Sequence, residues 1–362
     1  MTLEHLRTRL TQIDRDLIAL VADRQRIVAD IGAHKIKNAV PTRDYERERE
    51  VLKGARDIAV ELGLEPELAE DIMRRLIQSS LTQQELSRVA AQTSGVGKRA
   101  LIIGGAGKMG TWFAQFLSSQ GFSVEIADPV GVESNYVLVP DWHANELDQD
   151  IIVVATPIPV TAEVLEELAE RRPSGLIVDI GSLKTPLRQG IAHLVEAGCR
   201  VTSIHPMFGP ETRLLSGRHV IFVDVGVAAA TDEARELFAS TMAEQIDMSL
   251  EEHDRLIAYV LGLSHALNLA FFTALSASGE LVPRLKTLSS TTFDAQLEVA
   301  SLVAGDNPHM YFEIQALNEY GSVSLQALRD AADRVLGLVE RGDEAGFVEL
   351  METGRSYLES RQ

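Results

Sequence analysis

A neutral imidazole is the side chain best suited to take a proton from an alcohol near pH 7. One stands as His205 in the stretch SIHPMFGPET, with Glu211 six residues further on. It follows the β-branched run RVTSI and precedes a Pro/Gly-rich turn. That places it on the carboxyl side of an α/β sheet, where such sheets bind ligands. About a hundred residues upstream, ALIIGGAGKMGTWF carries Gly105-x-Gly107-x-x-Gly110 between a strand pattern and a helical one, with Lys108 and Met109 inside the turn. Glycines so spaced let backbone N–H groups approach a pyrophosphate at the positive end of a helix. The next strand pattern, VEIAD, ends at Asp128. A carboxylate there accepts from a ribose 2′-hydroxyl and repels a 2′-phosphate, favouring NAD over NADP. A base and a nicotinamide together would oxidise an alcohol, one taking the proton and the other the hydride. On spacing alone, His205 reads equally as a buried structural histidine. His253 and His265 are twelve residues apart, which on one regular helix leaves them about 120° out of alignment. Each reads as structural from the sequence. No His/Cys cluster has metal-ligand spacing.

The elements that must carry these groups fall into three parts. Residues 1–90 show no strand pattern. Leu6, Leu10, Ile13, Leu17, Leu20 and Val21 recur at three- and four-residue steps, and only Gly32 interrupts before Pro41. The first helix is therefore expected to run for roughly 35 residues, or about 50 Å. That is longer than a domain of this size is wide, so it is expected to pack against another chain. A second helix is expected to end near Gly63 and a third to open at Pro66. AQTSGVGK, residues 91–98, reads as a linker. Residues 99–249 alternate short apolar runs (RALIIGG, SVEIAD, DIIVVATP, GLIVDIG, RVTSI, HVIFVDV) with helical segments, the pattern of a parallel α/β sheet. Residues 250–362 read as helical throughout.

The 362 residues carry a net charge of −19, 45% apolar residues and one cysteine, Cys199. The length implies two or three domains. The charge argues against nucleic acid or an acidic membrane as partner, so any bound anion needs a local cationic pocket. A lone cysteine suits a reducing cytoplasm, and the N-terminus lacks the apolar core of a secretory signal. The longest apolar run, LIAYVLGLSHALNLAFFTALSA, contains His265 and Asn268 and reads as a buried helix rather than a membrane span.

The motifs together resemble the bifunctional chorismate mutase–prephenate dehydrogenases of tyrosine biosynthesis. IIGGAGKMG, VDIGSLKTPL, HPMFGPET and EEHDRL stand in that family's order. The N-terminal LRTRLTQIDRDLIALVADRQRIV, HK, RDYERE and SSLTQQ resemble its all-helical mutase. The resemblance implies a homodimer with three parts: an all-α mutase domain, a Rossmann-type α/β domain binding NAD, and a C-terminal all-α domain. Its substrates would be chorismate and prephenate. In the mutase it implies that Arg7 and Arg24 bind the carboxylates, that Lys35 and Gln84 donate to the ether oxygen, and that Glu48 accepts from the ring hydroxyl. Asp44, Arg47 and Ser80 would stand nearby, with Arg7 reaching into the partner's pocket. Arg24 and Lys35, eleven residues apart, share a helix face, whereas Arg7 is about 100° out of phase with Arg24. In the dehydrogenase it implies His205 at the substrate hydroxyl, Ser182 orienting it, and Lys184, Glu211, His253 and His265 in the pocket. Relatives carry a carboxylate-binding arginine where this chain has Asp294, in LSSTTFDAQLE. Arg213, Arg284, Lys286 or Gln296 could take its place, or the substrate could be 4-amino-4-deoxyprephenate. A dehydrogenase with a non-catalytic helical regulatory module is a further alternative.

Overall fold

The computed structural model describes residues 2–130 and 135–360. The chain forms two compact units, Met1–Thr156 with Glu163–Gly181 and Gly190–Met248, and Pro157–Ala162 with Ser182–Gln189 and Ser249–Gln362.

The first unit opens with three helices, α1 (Leu3–Lys37), α2 (Tyr45–Glu61) and α3 (Pro66–Gln92). Each start has a local cause. The Thr2 hydroxyl accepts from the His5 amide, the Asp44 carboxylate from the Arg47 amide, and Pro66 fills the first turn of α3. The 35 residues of α1 span about 52 Å at 1.5 Å per residue. Its second half packs on α3, with Val28 and Gly32 buried. In its first half Leu6, Leu10, Ile13 and Leu17 remain 48–59% exposed. The stretch 91–98, linker-like in composition, is packed rather than free. The Gly95 amide donates to the Gln120 carbonyl at 3.0 Å, and the Ser94 hydroxyl to the Gln120 side chain at 2.9 Å.

Eight strands follow in one sheet: β1 (Arg99–Ile103), β2 (Ser123–Ala127), β3 (Val137–Val139), β4 (Ile151–Val154), β5 (Leu176–Asp179), β6 (Arg200–Pro206), β7 (His219–Val223) and β8 (Glu244–Met248). Their order is β3-β2-β1-β4-β5-β6-β7-β8. From β3 to β6 all neighbours are parallel, the arrangement of a dinucleotide-binding sheet. β7 runs antiparallel to β6 and parallel to β8, a reversal the expectation of a parallel sheet did not contain. Strands β3 and β8 were also not expected. Both lie at sheet edges: β3 is only three residues long and mostly exposed, and β8, EQIDM, mixes polar with apolar residues, so neither reads as a strand buried on both faces. Helices α4 (Lys108–Ser119), α5 (Ile158–Arg171), α6 (Arg188–Glu196) and α7 (Ala228–Phe238) connect the strands.

The second unit contains α8 (Leu250–Ile257), a π-helical turn (Ala258–Leu263) and α9 (Ser264–Ala277), then α10 (Val282–Thr287), α11 (Thr291–Ala304), α12 (Pro308–Ala316), α13 (Gly321–Glu340) and α14 (Glu344–Glu359). Gln315 Nε2 donates to the Gly262 carbonyl within the π turn at 2.8 Å. A π turn absorbs about one extra residue, so the His253–His265 offset falls from about 120° to about 20°. The run Leu250–Ala277 is long and apolar enough to cross a membrane by length and composition, and 28% of its most apolar window is buried. The expectation of a buried helix is corrected to one that is largely exposed. The run is interrupted by a fully buried His253–Asp254 pair, which a lipid-facing helix would not carry unsupported.

Candidate active sites

The seam between α1 and α3 gathers most of the N-terminal candidates. Arg24 Nη1 donates to Ser80 Oγ at 2.5 Å and to the Leu76 carbonyl at 3.2 Å, and burial lowers the Arg24 pKa. One turn further along α3, Gln84 is buried; its Nε2 lies 3.4 Å from the Ser80 carbonyl and its Oε1 has no partner among the described residues. An unpaired amide oxygen in a buried seam is unfavourable and marks a place where a ligand can bond. Gly32 is what admits Gln84, since a Cβ at Gly32 would lie 3.0 Å from Gln84 Cγ. Lys35, three residues on, donates to the Thr42 carbonyl at 2.7 Å. Next to Thr42, the guanidinium of Arg43 holds both carboxylate oxygens of Glu48, at 2.9 and 3.0 Å.

The other N-terminal candidates do not join this set. Asp44 caps α2, and Arg47 pairs with Glu50 at 2.9 Å on the exposed side. Arg7 is exposed on α1, about 25 Å along the axis from Arg24, too far to reach the same seam.

Gly32→Ala is expected to reduce any turnover at this seam about tenfold. Alanine favours the helix by about 1 kcal/mol, so stability should hold while Gln84 is displaced. A wild-type rate at this seam in that variant would count against Gln84 as a contact group.

The glycine turn is built as its spacing implies, with Gly104 as an addition. Gly104 has φ +83°, a conformation that disfavours side chains, and a Cβ at Gly110 would lie 2.3 Å from the Gly104 carbonyl. Gly107 caps α4 without a side-chain acceptor, leaving the first amides of the helix for an anion. A Cβ at Gly107 would meet only the Gly104 and Ala155 carbonyls, at 3.2 and 3.9 Å, so the glycine keeps an approach open rather than filling a packed spot. These features fit a dinucleotide pyrophosphate. Asp128, just past the end of β2, accepts from the Ala106 amide at 3.1 Å and the Val130 amide at 2.9 Å.

His205 lies within β6 rather than after it, paired with Ile221 and 6% exposed. Two strands, β4 and β5, lie between β1 and β6, so the glycine turn and His205 sit at the carboxyl end of the same sheet, three strand spacings or about 14 Å apart. The loop that follows carries the exposed Glu211 and is pinned by Trp112, whose indole donates to the Thr212 carbonyl at 2.9 Å and whose ring lies 4.9 Å from that of Phe208. Asp179, at the end of β5, accepts from the Gly181 amide at 2.7 Å and from Ser203.

Ser182, Lys184, His253, His265 and Gln296 belong to the second unit, where Asp254 holds Lys184 and His253. Its carboxylate accepts from the Lys184 amide at 2.9 Å, the Thr185 amide at 2.6 Å, the Thr185 hydroxyl at 2.5 Å and His253 Nδ1 at 2.7 Å. Burial pushes the Asp254 pKa up, but the bonds from His253, Thr185 and Lys184 outweigh it and hold the carboxyl below its usual range. An ionised Asp254 fixes the His253 proton on Nδ1. Ser182 is half-buried beside the fully buried Lys184. His265 stacks on Tyr311 with centroids 4.3 Å apart, and burial lowers its pKa. Gln296 Nε2 donates to Asn268 Oδ1 at 2.8 Å. Asp294 accepts from the Ser289 hydroxyl at 2.5 Å in the first turn of α11. Asp254, Asp179, Trp112 and Arg43 escaped the sequence reading. Each lies within a motif stretch (HD in EEHDRL, VDIGSLKTPL, ALIIGGAGKMGTWF, RDYERE), but the stretch alone does not say what the side chain will bond.

Residues 6–85 match the family model described as chorismate mutase type II. Residues 131–246 match the nucleotide-binding domain of prephenate dehydrogenase, and 249–353 its dimerization domain. The chain is 27% identical over 347 residues to a T-protein of Enterobacter agglomerans, covering 95% of this chain and 89% of that one. It is 31% identical over 271 residues to a 4-amino-4-deoxyprephenate dehydrogenase of Streptomyces pristinaespiralis, covering 72% of this chain and 91% of the relative. A crystal structure of prephenate dehydrogenase from A. aeolicus in complex with hydroxyphenyl propionate and NAD+ aligns with a TM-score of 0.57 at 19% identity, covering 73% of this chain and 98% of that one. That last likeness concerns the fold.

Proposed function

We propose that this chain, which belongs to the prephenate dehydrogenase family and carries a type II chorismate mutase domain at its N-terminal end, converts chorismate to prephenate and prephenate to 4-hydroxyphenylpyruvate. The observation that carries the reading is His205 at the carboxyl end of the same sheet as the Gly104–Gly110 turn.

Chorismate rearrangement is pericyclic and needs no acid, base or cofactor. The protein holds a compact conformer and stabilises charge on the breaking ether oxygen. Arg24 supplies a carboxylate site. Lys35 and Gln84 donate to the ether oxygen, and Glu48 accepts from the ring hydroxyl. Ser80 supports that site through its bond to Arg24, while Asp44 and Arg47 stand apart from it.

In the dehydrogenase, Gly105, Gly107, Lys108, Met109 and Gly110 hold the NAD pyrophosphate and Asp128 its ribose. NAD, when bound, supplies the hydride acceptor for C4 of prephenate. His205 takes the proton of the 4-hydroxyl as the C4–O bond gains carbonyl character. By the resemblance, Ser182 orients the substrate hydroxyl, and Lys184, His253, His265 and Gln296 in the second unit and Glu211 in the first are substrate-binding residues. The ring carboxylate leaves as CO2, and aromatisation of the ring makes the step irreversible.

The partner is a second copy of the chain. The exposed stripe of Leu6, Leu10, Ile13 and Leu17 and the dimerization-domain match support this, and Arg7 then acts in the partner's pocket. The enzyme is cytoplasmic in this reading, in keeping with a single, buried, unpaired cysteine.

The test is a spectrophotometric assay with chorismate, prephenate, arogenate and 4-amino-4-deoxyprephenate, each with NAD and with NADP. Consumption of chorismate and NAD reduction with prephenate are expected. Asp294 makes the amino-substituted arm informative, since a carboxylate suits a substrate with an added positive charge. Turnover of that substrate alone would replace prephenate in the reading, and inertness towards chorismate would remove the mutase activity.

A further inference from the structure

We propose that Arg43 is the positioning residue of Glu48 in the mutase, and that it takes its own anchor from the dehydrogenase at Ser216. The proposal rests on the two-activity reading. The guanidinium is divided between two tasks. Its Nε and Nη2 grip Glu48 at 2.9 and 3.0 Å, while Nη1 donates to Ser216 Oγ at 2.6 Å. The Tyr45 ring, 4.4 Å away, covers its face. A planar fork can hold a carboxylate and a third acceptor at once, which a lysine ammonium cannot do with the same geometry.

Ser216 belongs to the loop that runs from His205 at the end of β6, past Glu211, to β7. The same loop is tied to the mutase a second time, one residue away. Glu85, next to Gln84 on α3 and 2% exposed, accepts from the Leu215 amide at 3.0 Å and the Met242 amide at 2.9 Å. One loop therefore carries a dehydrogenase residue at its start and a fixed anchor for the mutase at its end. The Glu48 carboxylate is aimed by a side chain whose third bond depends on that loop.

The test uses the full-length protein and four variants: Arg43→Gln, Arg43→Lys, Ser216→Ala and the double Arg43→Gln/Ser216→Ala. Mutase kcat and KM, dehydrogenase turnover and melting temperature are measured for each. Arg43→Gln is expected to lower mutase kcat roughly 10- to 100-fold with KM for chorismate changed less than about threefold, the split expected when transition-state contacts are lost and binding is kept. Arg43→Lys recovers part of the loss. Ser216→Ala, although in the dehydrogenase half, lowers mutase kcat roughly two- to fivefold, and adds nothing in the Arg43→Gln background, as linked residues do in a double-mutant cycle. Wild-type mutase kcat in Arg43→Gln overturns the proposal. So does parallel loss of both activities with a lower melting temperature, which would make Arg43 a support of the fold alone. Additive effects of the two substitutions overturn the Ser216 link. Wild-type protein inert towards chorismate would overturn the two-activity reading and the proposal with it, a result distinct from an active mutase indifferent to Arg43.

Discussion

His205→Asn is expected to lower NAD reduction with prephenate by about two to four orders of magnitude, the usual contribution of a positioned acid or base, while chorismate is consumed at the wild-type rate. Asparagine can still bond to the substrate hydroxyl but cannot take its proton. The strand should survive the change. His205 is held in β6 by backbone pairing with Ile221, and asparagine fills less volume at the buried position. The intact mutase serves as an internal control for folding, since α1–α3 belong to the same compact unit as β6. Normal NAD reduction by this variant would remove His205 as the base and with it the mechanism given for the second reaction.

The second large effect is expected at Asp254. Its fully buried carboxylate gathers the Lys184 and Thr185 amides, the Thr185 hydroxyl and His253. Asp254→Ala leaves those donors without an acceptor, at about 1–3 kcal/mol for each one left unsatisfied. A total near 4–5 kcal/mol is expected, where the low end of four such losses meets the range for breaking a buried charged contact. Dehydrogenase activity should be lost because Lys184, Thr185 and His253 lose their common support, whereas the mutase, in the other unit, should persist. The deficit should also depend on pH. A carboxyl held below its usual range stabilises the fold above the unfolded-state value of about 3.9, and that stabilisation is lost as pH falls through the native value. The difference between variant and wild type is therefore expected to be full at neutral pH and to shrink on acidification below about pH 4. Equal denaturation midpoints for the two proteins at pH 7 would show that the cluster contributes nothing.

Local pattern was enough for much of this protein. Unbroken helical periodicity gave α1 its length, and Pro41, Gly63 and Pro66 divided the helices. The glycine turn could be read because a close approach to a pyrophosphate needs those residues within a few positions of one another. His205 could be read because its neighbours Pro206 and Gly209 mark the end of a strand. The mutase residues of the α1–α3 seam are named by the family resemblance; helix phase alone relates only Arg24 and Lys35, which lie on one element.

Tertiary structure decided what crosses between elements. The direction of β7, the edge strands β3 and β8, and the π turn that rotates His265 towards the phase of His253 depend on pairing and packing partners far away in the chain. Asp254 meets Lys184 and Thr185 across seventy and sixty-nine positions, and Arg43 meets Ser216 across 173. A carboxylate or guanidinium carries no mark in the sequence of which distant amide or hydroxyl it will satisfy. Burial creates that demand, and the fold alone brings the partner that meets it.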